Sequence, residues 1–287
     1  MTAPRTLLLI GGAGVIGTSV AAMAPALGWR ASVVARSPRP DSDVLTPRDP
    51  AELAALVRSR PWDAVIDLRA MDADSTRVVI NALPPSAHYV LVSTIYVYGH
   101  PRYGPGRSLA RLSESAPARP TGPYGEAKLR AEFTAAQSLP DRGRSGHWHV
   151  VRLPFVAGPG DRSGRRESFI AHALSPAAGS APHRTEVGLV SSSAAAAVLL
   201  RLLEARPTEH RVLNVDAGHN WTLDEHLAAA RRSGASLAMS AEEIRDHPLP
   251  YDVGRDFSLD SARAYRLLAL TPEDDIGAEW HRIVWGS

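Results

Sequence analysis

The sequence predicts an α/β protein built on a doubly wound parallel sheet, and three observations carry that expectation. Short, uninterrupted apolar runs alternate with helical segments between residues 6 and 155. A glycine-rich turn, GGAGVIG at 11–17, joins the first run to the first helix. Tyr124 and Lys128 stand four residues apart on a later helix, and Lys128 is the only lysine beside 31 arginines. Continuous apolar runs, unlike alternating ones, suit strands covered by helices on both faces. Strands alternating with helices in this way imply parallel crossovers.

The elements follow in order. Residues 6–10 (TLLLI) read as a buried strand ended by Gly11. Residues 15–28 read as a helix, disturbed at Pro25 because proline lacks an N–H, and closed by Gly28. A second strand is expected at 31–35, a helix with Pro50 at its start at 50–58, and a strand at 63–68 (DAVIDL). A helix at 73–83 precedes the clearest strand, HYVLVST at 88–94. Residues 99–122, rich in Pro, Gly, Arg and Ser, read as a long functional loop. A helix at 124–136 and a strand at 149–155 (HVVRLPF) complete the first region. Beyond it, short helices are expected at 168–175, 191–205, 222–234 and 258–270, with a strand at 212–215. The expected division is a dinucleotide-binding domain at 1–156 and a small, mainly substrate-binding region at 157–287. Residues around 187–215 are expected to pack back on the first domain.

Composition narrows the function. With 44% hydrophobic and 22% charged residues the chain resembles an ordinary globular enzyme. A net charge of +2 offers no basic face for nucleic acid. The absence of cysteine removes disulfides, thiolate metal sites and a cysteine nucleophile together. The first apolar run passes straight into glycines, too short to cross a bilayer, so no membrane attachment and a cytoplasmic location are expected. Eleven histidines are scattered without a ligating pattern, so no metal is expected. Asp72 and Asp74 read as solvated loop carboxylates, and Trp280 and Trp285 as covers over a hydrophobic seam.

Gly11, Gly14 and Gly17 fall three apart between strand and helix. Such a turn lets the backbone approach a pyrophosphate and directs free helix amides at it. With Val15 and Ile16 they form the expected dinucleotide cradle of a Rossmann-type domain. Arg36 follows the second strand where an NAD site would place an acid. Its guanidinium fork suits a 2′-phosphate, so NADP(H) is the expected cofactor, with NAD the alternative.

Tyr124 and Lys128 at i and i+4 share one helix face. A phenol is a poor proton donor or acceptor near neutrality unless a nearby cation favours its phenolate. A compact ammonium can also hold ribose hydroxyls, a task ill suited to a flat guanidinium.

GGAGVIG, STIYVYG, PYGEAK and VRLPFVAGPGD, in this order, resemble the extended short-chain dehydrogenase/reductase family, which includes the NAD-dependent epimerase/dehydratase group. The resemblance covers Leu7 to about Asp161. It implies that Tyr124 exchanges the proton, that Lys128 activates it and anchors the ribose, and that Thr94 holds the reacting oxygen. It adds Leu68, Arg69 and Pro154 to the cofactor side, Arg69 interrupting the small residues usual after that strand. Three departures bear on the substrate. Ile95 and Tyr96 replace the acid pair of sugar dehydratases, Phe155 replaces an asparagine facing a diphosphate, and Ser191-Ser192-Ser193 replaces a common aspartate.

The leading expectation is NADPH-dependent reduction of a ketone on a small polar or sugar-like metabolite. The alternative is a redox-neutral sugar or nucleotide-sugar epimerase. A third reading is a protein that senses a dinucleotide without chemistry. A small-molecule substrate and a homodimer complete the expected partners.

Overall fold

A computed structural model describes residues 3–35, 44–47, 49–99, 109–140, 148–174, 184–234 and 256–286. Seven strands form the main sheet: β1 (Arg5–Ile10), β2 (Trp29–Val34), β3 (Val44–Leu45), β4 (Ala64–Asp67), β5 (His88–Thr94), β7 (Trp148–Leu153) and β10 (Val212–Asn214). Their order is β3-β2-β1-β4-β5-β7-β10, with every pairing parallel. The order reverses direction at β1, whose neighbours are β2 and β4. A ligand crevice is expected there, outside the carboxyl ends of the strands.

Burial explains why the strand sequences are apolar throughout. Leu7 and Leu9 enter one core with α1 (Val15–Met23) and α6 (Ser192–Ala205). Leu8 and Ile10 enter another with α2 (Pro50–Arg58), α3 (Ala73–Ala82) and α4 (Pro123–Ser138). Successive residues of a strand point to opposite faces, so a strand between two helical layers must be apolar at both parities. Each fully buried leucine contributes roughly 1.5–3 kcal/mol. No helix among the described residues is long and apolar enough to cross a membrane.

A third core lies beyond the sheet. It combines the one-turn helix Ile95–Tyr98 with α5 (Arg165–Leu174), α7 (Leu223–Arg232) and α9 (Ile276–Trp285). Two small parallel sheets stitch it together: β6 (Leu109–Leu112) with β11 (Phe257–Leu259), and β8 (Phe155–Ala157) with β9 (Leu189–Ser191). Helix α8 (Ala262–Leu268) follows β11.

Several boundaries differ from the sequence reading for physical reasons. The expected helix at 15–28 stops at Met23 and finishes as a 3-10 turn over Pro25, with Gly28 left-handed at φ 73°. The expected strand at 149–155 divides at Pro154, which has no N–H for a ladder; β7 ends before it and β8 turns to pair with β9. The expected loop at 99–122 contains strand β6. The expected helix at 258–270 begins as β11 and becomes helical only at Ala262. Trp280 is fully buried, with its indole N–H donating to His226, whereas Trp285 is 57% exposed.

One buried network fixes α4 against the sheet. Arg152 on β7 grips Glu132 on α4 through two bonds, Nε–Oε1 at 3.0 Å and Nη2–Oε2 at 2.6 Å. Ser93 donates to the same carboxylate, and Arg152 also donates to the Tyr98 hydroxyl, which donates to Asn214 on β10. Breaking a buried pair strands a charge and costs about 3–5 kcal/mol, while replacing both partners by apolar residues costs less. Glu132→Ala should therefore destabilise the protein by roughly 3–5 kcal/mol in urea unfolding. The double variant Glu132→Leu with Arg152→Met should recover most of that loss.

Candidate active site

The crevice at the strand ends is lined by Gly11, Gly14, Val15, Ile16, Gly17, Leu68, Thr94, Tyr124, Lys128 and Pro154, along with Val92, Ser93, Tyr96, Leu153, Phe155, Val156 and Arg165. Loops after β1, β4, β5 and β7 thus deliver most of the residues expected from the sequence to one place. One other lies elsewhere. Arg69 is exposed and lines a neighbouring hollow with Ile10, Asp49, Leu53, Asp67 and Val78. Arg36 lies outside the described residues, as do Arg39, Asp41, Asp43 and His147.

The glycine turn is shaped by what its missing side chains would strike. Gly11 adopts φ 77°, in the left-handed region. A Cβ on Gly17 would lie 2.4 Å from the backbone of Gly12, so that glycine serves packing between helix and strand. A Cβ on Gly14 would meet only the Gly11 carbonyl oxygen, at 3.8 Å, and otherwise open space facing the crevice. Gly14 is also the N-cap of α1, with no side-chain cap and no acidic residue in the first turn. Free amides, a positive helix end and an open approach fit a dinucleotide pyrophosphate.

Tyr124 and Lys128 project from α4 toward this space, and their environments differ sharply. Tyr124 is 43% exposed, and the Thr94 hydroxyl stands near enough to act on its phenol. Lys128 is 2% exposed, and its ammonium donates to the Val92 carbonyl at 2.9 Å. Burial lowers the Lys128 pKa to about 8, against the pull of the Asp67 and Glu132 carboxylates, so the group stays protonated at neutrality. Asp67 is itself buried, which raises its pKa, although Lys128 and bonds from the Arg69 amide and the Tyr89 hydroxyl favour its charged form.

Burial raises the Tyr124 pKa, and the charge that opposes this belongs to Arg165, assisted by the nearby Thr94 hydroxyl. The Lys128 ammonium donates to Val92 and feels the Asp67 and Glu132 carboxylates. Arg165 sits at the start of α5, inside a stretch that reads as an arginine-rich loop, so nothing in the sequence separated it from its 30 fellow arginines. Asp67 was equally hidden, as the last residue of an apolar strand.

Tyr96 closes the outer wall, edge-on to Tyr124 at 5.9 Å and to Phe155 at 5.6 Å between ring centroids. Phe155 also stacks with Phe257 at 6.1 Å. Ser191 accepts from the Ala194 amide as the cap of α6 and bonds Glu279, and Ser192 accepts from Ser19 on α1. Ser191 and Ser192 therefore hold elements together. Asp72 caps α3 and Asp74 pairs with Arg77. Among the described residues, no group of three or more potential ligands could hold a metal ion.

A Rossmann sheet whose glycine turn, Thr94, Tyr124 and Lys128 converge on one crevice defines a nicotinamide-dependent enzyme. Residues 7–193 match the model of the NAD dependent epimerase/dehydratase family, and the chain belongs to that family. It is accordingly an NAD(P)-dependent enzyme of the extended short-chain dehydrogenase/reductase type. Solved structures share the fold across nearly the whole chain. UDP-N-acetylglucosamine 4-epimerase from Bacillus cereus superimposes with a TM-score of 0.72 at 16% identity, over 97% of this chain and 98% of that one. UDP-glucose 4-epimerase from Brucella ovis, in complex with NAD, gives 0.72 at 17% identity over 98% and 97%. The Thermus thermophilus UDP-glucose 4-epimerase complex with NAD gives 0.70 at 19% over 96% and 97%. No curated protein matches the chain at a significant level.

Two outcomes follow from this geometry. Gly14→Ala should leave thermal stability almost unchanged but weaken NADH and NADPH binding about tenfold or more, read by fluorescence titration, because its new methyl fills the approach used by the pyrophosphate. Gly17→Ala should instead lower stability. The second outcome concerns pH. Between about 8 and 10.5 the folded chain sheds the Lys128 proton that the unfolded chain keeps, so stability from this group rises with pH through that window. Urea unfolding of wild type against Lys128→Met should show the wild type gaining roughly 3 kcal/mol relative to the variant between those values.

Proposed function

We propose that the protein is a redox-neutral epimerase of a sugar or nucleotide-sugar hydroxyl carbon. The observation that carries this reading is the convergence of Thr94, Tyr124 and Lys128 beside the glycine cradle, in a member of the epimerase/dehydratase family. Bound nicotinamide supplies a reversible hydride acceptor and donor. The Tyr124 phenolate takes the hydroxyl proton as the carbon loses hydride, and returns it once the ketone has been reduced from its opposite face. Thr94 holds the same oxygen from beside the phenol, so proton and oxygen stay in register. Lys128, fixed at the crevice floor, offers its remaining N–H groups to the ribose. The C–H and O–H bonds broken in the first half are remade in the second, and no net oxidation occurs.

A dehydratase is disfavoured because no carboxylate is among the described residues lining the crevice. The ketone reductase expected from the sequence would use the same groups, and the family match favours the redox-neutral outcome. NADP(H) remains the preferred cofactor on the strength of Arg36, while the NAD-bound Brucella and Thermus enzymes support NAD. Residues 157–287 are assigned mainly to substrate binding, and a cytoplasmic homodimer completes the reading.

The test incubates the purified protein with sugars and UDP-sugars plus NAD+ or NADP+. Inversion should appear by NMR with no net change in absorbance at ~340 nm, and Tyr124→Phe should reduce kcat by about 10²–10⁴. Stoichiometric formation or loss of reduced cofactor with product would replace epimerisation by net oxidoreduction.

A further inference from the structure

Arg165 is a half-buried guanidinium at the reacting end of the crevice, and it forms no salt bridge among the described residues. It lines the same space as Thr94, Tyr124 and Tyr96. Its one hydrogen bond among the described residues is long, Nη1 to the Val156 carbonyl at 3.3 Å, and its Cζ lies 5.7 Å from the centre of the Phe155 ring. The carboxylate nearest along the chain, Glu167, is paired with Arg166 at 2.6 Å. None of the described residues lining the crevice is acidic. Arg165 stands near enough to Tyr124 for its charge to act on the phenol.

The other cation lining the crevice is committed elsewhere, since the Lys128 ammonium is buried on Val92 between Asp67 and Glu132. The wall beside Arg165 is aromatic. Tyr96, Phe155 and Phe257 pack ring against ring, leaving no polar side-chain atom on Phe155 to meet a diphosphate. A single guanidinium fork beside an apolar wall matches one planar carboxylate through two parallel N–H donors, whereas a diphosphate spreads its charge over a longer and bulkier group.

From this arrangement we infer that Arg165 binds a carboxylate of the substrate, so that the substrate is a sugar acid or related hydroxy acid and not a neutral sugar. The inference rests on the epimerase reading for the location of the reacting carbon, but not for the binding itself. Arg165 is a specificity residue in this account: it anchors the anionic end while Tyr124 and Thr94 meet the hydroxyl to be inverted.

The test is an NMR titration of the protein saturated with NADP+ or NAD+, using matched pairs that differ in one carboxylate: glucuronate and glucose, galacturonate and galactose, gluconate and sorbitol, glycerate and glycerol. At least one acid should bind about tenfold or more tightly than its neutral partner. Arg165→Gln should abolish that preference, Arg165→Lys should keep part of it, and neither should change cofactor affinity more than about twofold. Equal binding within all four pairs overturns the inference. So does a large loss of cofactor affinity in Arg165→Gln, which would assign the guanidinium to the pyrophosphate. Arg165-dependent acid binding without inversion would instead count against the epimerase reading alone, and inversion of neutral sugars without acid preference against this inference alone.

Discussion

A protonated amine buried between a helix and an apolar sheet is the constraint around which this molecule is organised. An uncompensated buried charge is costly, so its surroundings must supply acceptors and opposite charge. Lys128 obtains them from three elements: the Val92 carbonyl on β5, the Asp67 carboxylate at the end of β4, and Glu132 one turn further along α4. Each compensating group is itself held. Asp67 accepts from the Arg69 amide and the Tyr89 hydroxyl, and Glu132 is clamped by Arg152 and Ser93. The chain of bonds then continues through Tyr98 to Asn214 on the edge strand. Keeping one amine protonated thus couples α4 to four strands, and that coupling holds Tyr124 at the crevice.

The site separates its charges by burial. Lys128 is enclosed and satisfied by protein, and its spare N–H groups can face only the crevice floor. Arg165 is half open and bound to little. Tyr124 lies between them with a pKa raised by burial and opposed by Arg165 and Thr94. A phenol in that position gives up its proton more readily when an arriving ligand does not itself cancel the arginine. The same electrostatics therefore connects the identity of the substrate to the ease of proton exchange, since an anion at Arg165 weakens its influence on the phenol.

Much of this was legible in the sequence because the relevant signals are local. Uninterrupted apolar runs reported strands with two covered faces, and β1, β4 and β5 fall within a residue or two of where the runs suggested. The glycines at 11, 14 and 17 and the four-residue spacing of Tyr124 and Lys128 express geometry over a single turn, which spacing alone conveys. What escaped depended on contacts distant in the chain. Strand β6 exists only because β11, some 145 residues later, supplies its partner. Ser191 and Ser192 gain their meaning from Glu279 and Ser19. Arg165 is distinguished from 30 other arginines solely by the aromatic wall and phenol it faces. The carboxylates that hold the Lys128 ammonium were hidden for the same reason, as they include Asp67, some 60 residues away.

The central claim is that this crevice seats a nicotinamide dinucleotide with the Tyr124 hydroxyl at its reacting end. A crystal structure of the protein with bound NADP+ or NAD+ tests that most directly. The account predicts the pyrophosphate over Gly14, the nicotinamide ribose on the Lys128 ammonium, and the Tyr124 and Thr94 hydroxyls turned toward the nicotinamide. A dinucleotide bound elsewhere, or a Tyr124 side chain turned away from the ring, would contradict it.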